Sequence, residues 1–355
     1  MPAPQYTRRV AKHPSPVCSG RHGSCRFFEV TIMSNAKMIA VFGATGAQGG
    51  GLARAILDDP DGGFAVRAVT RHVDSDKAQA LTEMGAQVVA ADLDDEASVR
   101  RALDGAYGAY FVTFFWEHFS PAKEKDEARN MAAAAKAAGL RHAIWSTLED
   151  TRLWVPLEDA RMPTLMEHYK VPHFDAKGDS NRIFTELGVP TTFLLTSFYW
   201  DNLIHFGMGP RREADGRLVF TLPMDDKKLP GIAADDIGRC AYGIFKQGEK
   251  YIGQTVGIAG EHLTGEQMAA ALADAFGEAV DYRAIPPEVY RGLGFPGAED
   301  LGNMFQFKCD FEADFCGARD PAVARALNPA LKSFRKWLEI NKDRIPRGGE
   351  PSPDQ

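Results

Sequence analysis

From residue 38 onward the chain alternates two hydrophobic rhythms. Runs that are apolar at nearly every position, 38–43, 66–70, 87–91, 109–113 and 142–146, predict strands buried on both faces. Between them, 47–57, 74–84, 95–103 and 122–138 carry apolar residues three to four apart and predict helices. Asp95 and Glu96 suit the positive end of the third helix, and Gly139 follows the alanine-rich fourth helix as a stop. Strict strand–helix alternation calls for right-handed crossovers and a parallel sheet. The predicted fold class is therefore α/β, a Rossmann-type doubly wound sheet with a smaller C-terminal α+β lobe.

Beyond residue 146 the rhythm loosens. A helix over 173–187, a strand over 191–195, a helix over 235–245 and a strand over 255–258 are expected. A helix over 264–276 capped by Thr264 and a strand over 280–285 follow. The expected organisation is a Rossmann domain over 38–195, with later strands from the second half, and a smaller lobe over 196–345. Residues 1–32 set Arg8, Arg9, Lys12, Arg21 and Arg26 against Glu29 alone among prolines, so 1–37 reads as a disordered extension. An organelle-targeting segment would share that basic character. Met33 stands five residues before the first strand and is a candidate start; 346–355 reads as a frayed tail.

Composition narrows the partners. A net charge of -7 over 355 residues opposes a phosphate backbone, so no nucleic-acid partner is expected. No apolar run reaches the ~18 residues of a membrane-spanning helix. Cys18, Cys25, Cys240, Cys309 and Cys316 form no CxxC pair and no zinc spacing, so neither a disulfide framework nor a metal is expected. A reducing cytoplasm is the expected compartment, and the chain reads as a monomer or homodimer.

The chemistry begins at Gly43-Ala44-Thr45-Gly46-Ala47-Gln48-Gly49, between the first strand and first helix. Gly43 permits a tight turn, Gly46 lets backbone approach a pyrophosphate, and Gly49 lets helix pack on strand. The amides from Thr45 to Gln48 then point at the anion. At the end of strand two, where an acid would bond the ribose 2′-hydroxyl of NAD, stands Arg71. Its planar fork suits a 2′-phosphate, with Lys77 in support, so the expected cofactor is NADP(H). Arg71 also fits a solvated strand-end charge. Asp92 and Leu93 close strand three and suit the adenine, though Asp92 fits a turn acid equally well. Thr113 is expected on the path to the nicotinamide.

These residues resemble a family. GATGAQGG at 43–50, VTR at 69–71 and AADLDD at 90–95 look like the NmrA-like branch of atypical short-chain dehydrogenases. FVTFFWE at 111–117, HFDAKG at 173–178, EKYIGQ at 249–254 and GFPGAEDLGNMFQF at 294–307 resemble the HSCARG-type NADP(H)-sensing proteins. The resemblance implies NADP preference, a lobe closing over the nicotinamide, and regulation of a protein partner in response to cofactor.

Catalysis is less legible. Short-chain dehydrogenases place Tyr and Lys as YxxxK on the helix after strand five. Here Lys177 sits on that helix, but four residues before it stands His173. Pro172 sets the first helical turn, which leaves Tyr169 outside the helix. Ser146 occupies the position of the dehydrogenase serine. The one YxxxK, Tyr242 to Lys246, lies on a later helix and reads as a decoy. His173 serves either as a proton donor or as a helix-start residue holding the lobe. Two functions follow: a cofactor-responsive regulator with little or no dehydrogenase activity, or an NADPH-dependent reductase of quinones or small carbonyls using Lys177 and His173. For the second, Phe114, Phe115, Trp116, Phe198, Tyr199 and Trp200 wall a substrate site or pack as core.

Overall fold

The structure, a computed structural model, describes residues 36–348, and these belong to a single compact unit. The predicted N-terminal extension to residue 35, the candidate start Met33, Cys18, Cys25 and the tail from 349 lie outside the described residues.

The central sheet is built from β1 (Lys37–Phe42), β2 (Phe64–Thr70), β3 (Gln87–Ala90), β4 (Gly108–Phe111), β5 (His142–Thr147) and β6 (Thr191–Leu195). Shorter strands follow: β7 (Phe198–Tyr199), β8 (Arg211–Arg212), which pairs antiparallel with β9 (Leu218–Leu222), and β10 (Leu229–Ile232), which pairs parallel with β7. Then come β11 (Thr255–Gly257), β12 (Glu261–Leu263) and β13 (Val280–Ala284). The seven-stranded sheet runs β11-β6-β5-β4-β1-β2-β3, every pair parallel. The order reverses between β1 and β4, and in such sheets the crevice at that switch point takes the ligand. The expected loan of a strand from the second half is β11.

Burial on both faces explains the apolar runs. Along β1, Ile39 and Val41 enter one core while Ala40 and Phe42 enter the other. Tyr110 and Ile144 alternate in the same way with Phe111 and Trp145. One face is covered by α1 (Ala47–Leu57) and, from the second half, α8 (Ala234–Lys246). The other carries α3 (Glu96–Ala102), α5 (Pro121–Ala138) and α6 (Pro172–Glu186), while α2 (Asp76–Glu83) precedes β3. Their ends follow local chemistry: Ser120 accepts from the Lys123 amide with Pro121 in the first turn, and Gly139 closes α5 at φ +64°.

A third core gathers Trp200, Phe220, Phe305, Phe307 and Trp337. It joins β9 and β13 to α9 (Gly265–Phe276), α10 (Pro287–Arg291), α11 (Ala298–Asp310), α12 (Glu312–Gly317) and α14 (Phe334–Asn341), while α13 (Pro321–Leu327) packs with α8 in the first core. Thr264 and Gln267 form a reciprocal capping box at the start of α9. Two short helices matter below: α4 (Phe115–His118), which the sequence pattern does not announce, and α7 (Asn202–His205). Strand β4 stops at Phe111, two residues before its predicted end, because the chain leaves the ladder at Val112 to line a cavity.

Candidate active site

At the switch point β1 turns sharply into α1. Gly43 has φ +63°, and its carbonyl accepts from the Gly46 amide at 2.9 Å. A Cβ on Gly49 would lie 2.4 Å from Gly43 O, so only glycine lets α1 start this close to β1. No side chain caps α1 and no acid stands in its first turn. Of the four amides expected to face an anion, Gly46 is spent on the turn. Those of Thr45, Ala47 and Gln48 have no acceptor among the described residues. An uncapped helix start with free amides is a positive end suited to a pyrophosphate.

The Gln48 side chain turns inward. Its Nε2 donates to Tyr199 Oη at 2.5 Å, and its Oε1 accepts from Ser146 Oγ at 2.8 Å and from Tyr110 Oη. Burial pushes the Tyr199 phenol up to about 12 against the pull of its Thr196 and Gln48 hydrogen bonds. Ser146 stands near the end of β5, as placed from the sequence. Its hydroxyl is tied to Gln48, it is buried, and it does not line the cavity beside the loop.

That cavity, about 490 Å³, runs from Gly43–Gly49 past Thr113, His173 and Lys177 to rings including Phe114, Phe174, Phe198 and Phe315. Lys177 Nζ lies 2.6 Å from Glu124 Oε1, donates to Thr113 Oγ1 at 2.5 Å, and sits 5.3 Å from the Trp145 ring. Glu124 is wholly buried. Burial alone would raise its carboxyl, but the charge of Lys177 with hydrogen bonds from His118, Lys177 and Thr113 holds it at about 2. His118 Nδ1 accepts from the Ser120 amide at 3.0 Å, which puts the ring proton on Nε2, 3.4 Å from Glu124 Oε2. Glu127, on the next turn of α5, is pushed up to about 7 by burial and by the charge of Glu124. Between about pH 2 and 7, then, Glu124 is ionised while its neighbour keeps its proton.

His173 is gripped from the other side of the fold. Asp300, in the first turn of α11, accepts from His173 Nδ1 at 2.6 Å and from its backbone amide at 3.1 Å. The ring lies 4.7 Å from Trp116, and Nε2 has no partner among the described residues. The motifs around these residues now have physical reasons. A Cβ on Gly297 would strike the Trp116 ring at 2.8 Å, and one on Gly178 would lie 2.4 Å from the Asp150 amide. Asp175 accepts from the Thr151, Lys170 and Val171 amides and from the Thr151 hydroxyl, fixing the start of α6.

The remaining predicted residues ring the β2–β3 side. Arg71 is half exposed, and its guanidinium grips Glu117 of α4 with two bonds, 2.5 and 2.9 Å. The pair spans the carboxyl end of β1, from the β2 side to the β4 side. Lys77 is exposed on α2, with no ionic partner among the described residues. Asp92 is exposed and accepts from the Asp94 amide at 3.0 Å; Leu93 packs on the core. None of these four lines the cavity. Tyr242 and Lys246 both bond Asp59 beyond the end of α1, remote from the loop, as expected of a decoy.

Sequence reasoning missed Glu117, Glu124 and Asp300, and it gave Tyr199 a place in the aromatic wall but not the bond to Gln48. Glu117 and Asp300 sit inside motifs it singled out, so the signal was present without a role.

The sequence pattern of the NmrA-like family matches residues 35–338. The chain belongs to the NmrA-like family. Among curated relatives, the NmrA-like family domain-containing oxidoreductase FrzB of Cladobotryum sp is 30% identical over 288 residues, covering 76% of this chain and 83% of that protein. The oxidoreductase ptmS of Penicillium ochrochloron is 26% identical over 85% of this chain and 97% of that protein. In structure, the negative transcriptional regulator NmrA, in complex with NADP, aligns at TM-score 0.70 and 24% identity, covering 87% of this chain and 97% of that one. The triphenylmethane reductase of Citrobacter sp., complexed with NADP(H), aligns at TM-score 0.67 and 18% identity, covering 85% and 99%. Within this NmrA-like fold, the cavity lies where β1 and β4 diverge. Among the described residues no helix is long and apolar enough to cross a membrane.

Proposed function

We propose that this chain binds NADP(H) along the carboxyl end of β1 and reduces a flat aromatic carbonyl compound, such as a quinone, in the adjoining cavity. One observation carries the reading: the free-amide glycine loop, Lys177 and His173 line the same ring-walled space. Relatives named as oxidoreductases, and fold neighbours crystallised with NADP, support it. The amides of Thr45, Ala47 and Gln48 hold the pyrophosphate. Arg71, released from Glu117, takes the 2′-phosphate with Lys77, while Asp92 and Leu93 flank the adenine. Thr113 and Lys177 meet the nicotinamide ribose. The bound cofactor supplies a hydride. His173 presents Nε2 to the substrate oxygen as proton donor, its ring held by Asp300, so the missing tyrosine is replaced by a histidine–carboxylate pair.

The test is NADPH consumption with a quinone panel. Turnover should fall ~10²- to 10⁴-fold in His173→Phe and in Lys177→Ala. Turnover on no quinone, or turnover indifferent to both substitutions, contradicts the reading.

A second reading, a cofactor-responsive regulator of the HSCARG type, is favoured by the Arg71–Glu117 pair and an exposed apolar rim. Phe114, Phe206, Leu293 and Phe295 stand exposed around an adjoining hollow, as a docking face requires. A 2′-phosphate competing for Arg71 frees α4 and alters this rim. Partner affinity should then differ between apo, NADP⁺ and NADPH states, and equal affinity removes this reading.

A further inference from the structure

Among the described residues, Lys308 lines this cavity with no carboxylate paired to it. It projects from α11, is 3% exposed, and lines the same space as the glycine loop. Its Nζ lies 5.4–5.5 Å from the rings of Phe174, Phe305 and Phe315, and its hydrogen-bond partner among the described residues is Met304 Sδ at 3.2 Å. The neighbouring acid is already taken: Glu149 forms a two-bond pair with the wholly buried Arg319 at 2.5 and 2.9 Å. The other two nitrogen-bearing side chains of the cavity, Lys177 and His173, each have a carboxylate partner, Glu124 and Asp300. A buried ammonium with no oxygen partner costs stability, and burying a lysine so costs more than a methionine of similar volume would. Burial, with the charge of Arg319 acting in the same direction and Glu149 and Cys309 opposing, brings its pKa down to about 7.

We propose that Lys308 is the anchor for an anionic oxygen, an enolate, phenolate or carboxylate, carried by the flat aromatic substrate of this cavity. The proposal rests on the reductase reading for the identity of the site, and it adds the substrate's charge. An anionic oxygen supplies the acceptor that the ammonium lacks, while Phe174, Phe315 and their neighbours receive the ring. Neither Lys177 nor His173 is free for that role.

Two probes of one shape isolate the charge: 2-naphthoate and its neutral amide, 2-naphthamide. Each is titrated by calorimetry into the full chain and into Lys308→Met. Wild type should bind the carboxylate at least about tenfold more tightly than the amide. The Met variant should bind the two within about twofold, and in wild type the preference should fade as the pH rises past about 7. The Met variant should also melt at or above the wild-type temperature, because an unpaired buried amine has been removed. A Met variant that retains the preference, or a wild type without one, overturns the proposal. NADPH titration of the same two samples keeps the readings apart: unchanged NADPH binding with lost carboxylate preference is the expected pair, and absent NADPH binding in wild type instead refutes the cofactor reading.

Discussion

The residue with the most to lose on cofactor binding is Glu117. Its carboxylate, held below its usual range by the Arg71 guanidinium, occupies the fork expected to hold a 2′-phosphate. Both side chains are half exposed, so the pair itself adds little stability and yields readily to a doubly charged phosphate. Glu117→Gln should therefore tighten NADP⁺ about three- to tenfold and leave NAD⁺ unchanged, read by calorimetry. Arg71→Ala should erase the preference for NADP⁺. A Gln variant with unaltered affinity would show that Glu117 does not compete. The acids of α5 give a second residue-scale outcome. Glu127 has a folded pKa of about 7 against an ordinary 4.5, so between these pH values the native state holds a proton that the unfolded chain has released. Its stability contribution is full below 4.5 and is lost as pH rises through about 7. Glu127→Gln should flatten that slope and be more stable than wild type at pH 8 by about 1–3 kcal/mol in urea denaturation. Glu124 runs the other way: its contribution is present above 4.5 and is lost as pH falls to about 2. Thr113 was legible in the sequence because it closes a strand, and Lys177 and His173 because they hold the two YxxxK positions of the helix after strand five. Asp300 was not, because 127 positions separate it from the histidine it holds.

At the scale of elements, the contact between α1 and α8 explains why a helix from the second half lies against the cofactor loop. A Cβ on Gly238 would fall 2.0 Å from the Leu52 amide nitrogen, and one on Gly51 would fall 2.4 Å from Asp235 O. The obstructing atoms are backbone, so neither helix can yield without moving α1. Gly238→Ala should cost about 3 kcal/mol or more in urea denaturation and weaken NADPH binding. Gly105→Ala, where the added carbon meets nothing but φ is +65°, should cost about 1 kcal/mol and leave binding intact. Equal penalties would mean that the helix contact is looser than described. Apart from α4, the strands and helices up to β5 were readable because two-faced burial writes apolar runs and capping residues punctuate them. The rest was readable only in part: α4, ahead of β5, and β7 and β8, after β6, span four residues or fewer, too short for a period to register. Their positions depend on long-range partners such as Trp116 against Gly297.

For the molecule as a whole, the sheet reversal, the uncapped helix and the ring-walled cavity converge on one crevice. A ligand that binds there and not to the unfolded chain must stabilise the fold, by about 2.7 kcal/mol at a hundredfold excess over Kd. NADPH should accordingly raise the melting temperature by several degrees, and NADH by less. The most direct test is a calorimetric titration of NADPH into wild type and into Gly49→Ala, whose added carbon would press on the Gly43 carbonyl. Saturable one-site binding in wild type that weakens at least about tenfold in the variant is the predicted result. Absence of NADPH binding in wild type, or identical binding in a folded variant, would contradict the placement of the cofactor at this loop.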